Sequence, residues 1–154
     1  MRTDQPSTPI GKANPHWKVG IIRSSFYKEE IDALTKSAQD ALVSAGIPAE
    51  NISVYDVPGS FEIPLIGAAL AEKEECDALI ALGIIVEGET HHADLLARES
   101  ARGIMDVQLG FGIPFAFEIL YVDQLADAQK RLNKGEEAAR AVIESLTVLE
   151  ELKR

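Results

Sequence analysis

The chain has 154 residues, 46% of them hydrophobic and 26% charged, the balance of one globular domain that buries about 68–70% of its unfolded surface. Fifteen Lys and Arg against 25 Asp and Glu leave a formal charge of −10, which argues against nucleic acid or an anionic membrane as partner, since both need clustered positive charge. The chain lacks a run near the ~18 apolar residues of a membrane span and a signal-peptide core at its N-terminal end, and it has a single cysteine, Cys76. A cytoplasmic protein without disulfides or a cysteine-based metal site is the expectation.

Residues 1–16 carry Pro6, Pro9 and Pro15 among small polar residues and read as an extended arm, with one domain following over 17–154. Residues 18–23 (KVGIIR) are short and β-prone, and they break at Ser24, Ser25, Phe26 and Tyr27. Ile31, Leu34, Ala38, Ala41, Leu42 and Ala45 recur at three- and four-residue steps, which predicts a helix ending at Gly46. A second strand over 52–57 closes at Pro58-Gly59, where Ser60 is placed to cap the next helix and Pro64 is tolerated in its first turn.

The apolar run 78–86 predicts a third strand broken at Gly88, and helical spacing resumes over 90–109. A last strand over 114–121 is followed by helical stretches 122–132 and 136–153, separated at residues 133–135. Four strands alternating with helices predict an α/β fold, a three-layer αβα sandwich on a four-stranded parallel sheet in the flavodoxin-like order 2-1-3-4. Such sheets bind ligands beyond the carboxyl ends of their strands. Four loops are thereby selected: 24–27, 57–61, 86–92 and 120–123.

Each loop holds chemistry that also has an ordinary structural explanation. Phe26 and Tyr27 suit stacking on a flat heterocycle or packing on their own helix. Gly59, Ser60, Phe61 and Glu62 make either a turn with a cap or a polar edge for a ligand. Gly88, Glu89 and Thr90 could hold an anion on backbone N–H groups, with Thr90 equally good as an N-cap. No GxGxxG, P-loop or HExxH motif is present. His91 and His92 point about 100° apart on a helix and cannot share a face, so proton transfer by one of them is a sharper reading than a metal site. Asp94 either orients an imidazole or favours the helix N-terminus, and Asp127 with Arg131 has the spacing of a surface ion pair. Arg131 equally suits a phosphate.

The segments VPGSFEIP (57–64), LGIIVEGETHHAD (82–94), GIPFAFEIL (112–120) and NKGEEAA (133–139) together resemble the 6,7-dimethyl-8-ribityllumazine synthase family of riboflavin biosynthesis. The resemblance runs from Lys18 onward. It implies condensation of a ribitylaminopyrimidine with 3,4-dihydroxy-2-butanone 4-phosphate, with no metal or organic cofactor. It places Phe26 on the pyrimidine ring and Gly59, Ser60, Phe61 and Glu62 along the ribityl chain and polar edge. Ile84, Ile85 and Val86 line the pocket, Glu89, Thr90 and Arg131 bind phosphate, and His92 rather than His91 moves the proton. Phe117 is implied as a neighbouring subunit's contribution and Lys134 as a further substrate contact.

By the same resemblance the chain assembles as a pentamer or a sixty-subunit shell of pentamers, with riboflavin synthase as a further partner. Three departures from the pattern stand out: Glu87 where a basic residue is common, Ala93 for an aromatic, and a shortened segment between Arg131 and Lys134. A non-catalytic lumazine-binding or shell-forming protein of the same fold is the alternative these raise. A flavodoxin-like electron carrier fits poorly, because the loop after Arg23 has no glycine.

Overall fold

The structure is a computed structural model that describes residues 8–154; the first seven positions of the expected arm lie outside the described residues. The β-prone runs form four strands, β1 (Val19–Ser24), β2 (Ile52–Val57), β3 (Ala78–Val86) and β4 (Phe115–Val122). All pairings are parallel and the order is β2-β1-β3-β4, as the alternation predicts. The helices are α1 (Lys28–Ala45), α2 (Ile63–Glu72), α3 (His92–Phe111), α4 (Leu125–Gln129) and α5 (Gly135–Leu152).

Two helical layers make the sheet apolar on both faces. Ile80, Leu82 and Ile84 of β3 pack with Ile31, Leu34 and Leu42 of α1 and Val142 and Ile143 of α5. Leu79, Ala81 and Ile85 alternate to the other face, against Ile63 and Leu70 of α2 and Ile104 and Val107 of α3. Glycine ends two of the helices by taking up left-handed backbone, Gly46 at φ 117 after α1 and Gly112 at φ 68 after α3.

Residues ahead of β1 are tied to both helices of one layer. The Ala13 N–H donates to the Ala45 carbonyl at 2.9 Å, and the Trp17 indole donates to the Glu150 carboxylate at 3.1 Å. No helix among the described residues is long and apolar enough to cross a membrane.

The structure departs from the sequence reading at three element ends. Helix α3 starts at His92 rather than residue 90, because Gly88 to Thr90 remain loop. The helix expected over 122–132 is only the five residues of α4 plus a 3-10 turn, Leu132–Lys134, since β4 runs on to Val122 and Gln124 is extended. Ser60 does not cap α2. It opens a 3-10 turn, Ser60–Glu62, and is buried against β3, where Gly83 makes room: a Cβ on Gly83 would lie 2.5 Å from the Ser60 Oγ.

The tightest helix contact lies where α5 begins. A Cβ on Gly135 would meet the main chain of α1, 2.3 Å from the Leu34 carbonyl oxygen and 2.6 Å from the Ala38 nitrogen, and backbone cannot rotate aside. Gly135→Ala is therefore expected to cost about 1–3 kcal/mol of stability, read as a lower denaturation midpoint. Gly110→Ala, with nothing within 4 Å of the new methyl, leaves the midpoint unchanged or raises it.

Candidate active site

Helix α1 leaves β1 toward one face of the sheet while α2 and α3 pack on the other, so the strand order reverses between β1 and β3. Chain ends that part in opposite directions leave a crevice above the strands. There the structure has a cleft of about 630 Å³ lined from all three of the loops after β1, β2 and β3.

Phe26, 63% exposed, stands at one wall. Its ring edge and the Glu62 carboxylate both close on Gly59, whose missing Cβ would be 3.4 Å from Phe26 Cε2 and 3.7 Å from Glu62 Oε2. Tyr27 beside it is the N-cap of α1 and holds a left-handed backbone, φ 58 and ψ 57, a conformation that costs a tyrosine of order 1–3 kcal/mol. The Ser25 hydroxyl donates to the Val57 carbonyl at 2.7 Å and ties this loop to the end of β2.

Ser60, Phe61, Ile84, Ile85 and Val86 form the floor and flank, and Gly88, Thr90 and His92 close the far side. His91, not Thr90, occupies the N-cap position of α3 and its side chain caps none of the first-turn N–H groups. The Thr90 hydroxyl accepts only a long 3.4 Å bond from the His92 N–H. Asp94 turns away to Arg98 at 3.0 Å. Glu89 is exposed and His91 lies outside the cleft lining.

Phe117, Arg131 and Lys134 are elsewhere. They line a second cleft of about 630 Å³ together with the rest of 117–123 and Asp127, and the two clefts share no residue. Within one chain, therefore, Thr90 and Arg131 do not meet. Arg131 does not pair with the Asp127 carboxylate: α4 has ended at Gln129, and the guanidinium donates to the Asp127 main-chain carbonyl at 2.7 Å. Among the described residues there is no group of three or more His, Cys, Asp or Glu placed to hold a metal ion.

Tyr27, Ala93 and Leu96 complete the first cleft. The sequence placed Tyr27 in the right loop and marked Ala93 only as a departure from the family pattern; Leu96 carried no signal, and it joins Ala93 in the lining because the helix starts at His92. Cys76 is half-buried beneath the far end of the sheet; burial, then the charges of Asp77 and Glu75, push its thiol pKa up.

Compared with known families, residues 16–150 match the profile described as 6,7-dimethyl-8-ribityllumazine synthase. The chain belongs to that family. Its relatives include the 6,7-dimethyl-8-ribityllumazine synthase of Methylobacillus flagellatus, 40% identical with 88% of this chain and 91% of that protein covered. That of Paracidovorax citrulli is 42% identical over 87% and 88%, and that of Ruthia magnifica 41% identical over 88% and 87%. Among solved structures a de novo designed Rossmann fold protein superposes at a TM-score of 0.44, with 16% identity over 78% of this chain and 98% of its own.

For a lumazine synthase relative, the acidic residue at Glu87 puts a negative charge beside the loop 88–90. The structure turns that carboxylate toward β4, where it accepts hydrogen bonds from the Tyr121 hydroxyl and, at 3.3 Å, from the Gly88 N–H. The Glu87 N–H in turn donates to the Val122 carbonyl at 2.8 Å. Glu87 thus joins the ends of β3 and β4 on the ridge between the clefts. The hydrogen bond from its hydroxyl to Glu87 pushes the Tyr121 pKa up to about 12, because tyrosinate would face a carboxylate. Glu87→Gln should remove that charge and bring the Tyr121 ionisation back toward pH 10, seen as an earlier rise of tyrosinate absorbance in a pH titration.

Proposed function

We propose that the protein condenses 5-amino-6-(D-ribitylamino)uracil with 3,4-dihydroxy-2-butanone 4-phosphate to 6,7-dimethyl-8-ribityllumazine, releasing phosphate and two waters. The observation that carries this reading is the cleft at the strand-order reversal. It gathers an exposed aromatic face, a polar turn and one imidazole at the N-terminus of a twenty-residue helix.

Phe26 stacks on the pyrimidine, and Gly59, Ser60, Phe61 and Glu62 hold the ribityl chain and the ring's polar edge. The sequence of imine formation, phosphate elimination, tautomerisation and ring closure needs two substrates held together and protons moved, with no protein nucleophile. His92 takes that proton role. The phosphate rests against Thr90 and the open amides of the loop and first turn of α3, with Glu89 alongside. In an acidic chain a local cation is also required, and Arg131, backed by Lys134, supplies it.

Because Arg131, Lys134 and Phe117 line a different cleft of the same chain, we assign the complete site to the junction of two copies: the first cleft of one facing the second cleft of its neighbour. A head-to-tail junction of this kind closes into a ring, and we propose a pentamer as the smallest active form, with shells of pentamers built from it. The enzyme acts in the cytoplasm, and riboflavin synthase is its downstream partner.

Mixing the purified protein with both substrates should produce the coloured, fluorescent lumazine well above the uncatalysed rate. Tight binding of the lumazine with no turnover would instead mean a binding protein. His92→Ala is expected to lower kcat about a hundredfold with a smaller change in KM. Arg131→Ala should raise KM for the phosphorylated substrate about 10–100-fold, the worth of one charge-assisted hydrogen bond. Oligomers reassembled from a mixture of the two variants should regain activity, because some junctions then combine an intact His92 with an intact Arg131. A site contained in one chain would stay dead on mixing.

A further inference from the structure

The loop 88–90 lies in acidic company. Glu87 precedes it, Glu89 is part of it, and Asp94 follows in the first turn of α3. An anion bound there is repelled by every carboxylate that faces it, in a chain whose formal charge is already −10. Asp94 is neutralised by Arg98 at 3.0 Å, and Glu89 is exposed, where salt screens it. Glu87 is half-buried, and among the described residues no cation forms a salt bridge with it.

Tyr121 holds Glu87 instead. In the β3–β4 register Tyr121 lies opposite Ile85, on the sheet face that carries α2 and α3. Glu87 extends the ladder by one residue, its N–H donating to the Val122 carbonyl at 2.8 Å, and the two-residue period of a strand turns its side chain to the same face as Ile85. The Tyr121 hydroxyl thereby reaches the carboxylate and donates to Oε2, while Oε1 accepts only a long 3.3 Å bond from the Gly88 N–H. The pair stands on the ridge between the clefts, with Gly88 lining the first and Tyr121 the second.

We infer that Tyr121 is a positioning residue for the phosphate: its hydroxyl keeps the Glu87 carboxylate turned toward β4 and away from the loop amides that receive the anion. Without that hydrogen bond the carboxylate closes on the Gly88 N–H and its neighbours, and as an internal anion it takes the donors the phosphate needs. Tyr121 touches no substrate and acts through Glu87. The inference rests on the reading of residues 88–90 as the phosphate loop. A latch that merely stiffened this loop would be broken equally by removing either partner, whereas a shielded charge does no harm once the charge itself is gone.

The test is a double-mutant cycle of Tyr121→Phe and Glu87→Gln, with inorganic phosphate as the probe, titrated calorimetrically into the assembled protein. Tyr121→Phe should raise the phosphate Kd about 3–10-fold, the effect of one unshielded carboxylate near a surface anion, and raise KM for the phosphorylated substrate by a similar factor with kcat little changed. Glu87→Gln should bind phosphate at least as tightly as the parent, and adding Tyr121→Phe to it should change Kd by less than about twofold. No effect of Tyr121→Phe overturns the inference. So does an equal loss in both backgrounds, which would mean that the tyrosine acts on the anion directly, and so does a Glu87→Gln variant as weak as Tyr121→Phe, which would mean a latch. Absence of phosphate binding in the parent and in Glu87→Gln alike also overturns it. If the parent makes lumazine but the cycle shows no coupling, the shielding is wrong and the proposed activity stands. If the parent makes none while the coupling appears, the proposed activity fails and the shielding remains.

Discussion

The structure depends on burying β3 from both sides. A strand whose alternate residues feed two separate cores must sit inside the sheet, with β1 on one flank and β4 on the other. Once β3 takes the place beside β1, the connection from β2 has to cross over β1. The two crossovers that leave β1 and β2 then lie on opposite faces. The crevice follows from that reversal, and so does the identity of the loops around it. The apolar content of residues 78–86 and the location of the cleft are thus one fact at two scales.

The crevice is shaped by what small residues permit. Gly83 lets the Ser60 hydroxyl lie against the strand, and Gly59 lets the Phe26 ring and the Glu62 carboxylate close on the same point. Neither glycine needs an unusual backbone conformation; their value is the space left by a missing methyl. Against this fitted half-site, the cleft of Arg131 and Lys134 is open and strongly charged, and it becomes functional in the proposed assembly only when a neighbour's first cleft closes over it.

Much of this was legible in the chain because it depends on periodicity. Apolar residues at three- and four-residue steps mark α1 and α5, the unbroken aliphatic run marks a strand covered on both faces, and the polar breaks after strands point to the cleft-lining loops. What was not legible depends on distance in space. The burial of Ser60 under Gly83 is invisible to a reading that sees a serine before a helix and expects a cap. The Asp127–Arg131 spacing implied an ion pair only while α4 was thought to continue past Gln129. The separation of Arg131 from Thr90 is a property of where β4 ends, which no local pattern records. Glu118 is the exception, since an acid at an inward position of β4, 7% exposed and paired with Leu82, is readable from the alternation of the strand.

The contact between Trp17 and Glu150 has a practical side. The chain has one tryptophan, and its indole is 6% exposed and donates to a carboxylate in the last two turns of α5. Asn14 shares the same carboxylate at 3.1 Å. The residues before the first strand and those closing the last helix are therefore fastened by one acidic group that is distant from both clefts. Excited selectively, this single tryptophan reports on how the two ends of the domain are joined, at a place that neither cleft includes. A cargo or tag attached at either end would register there first.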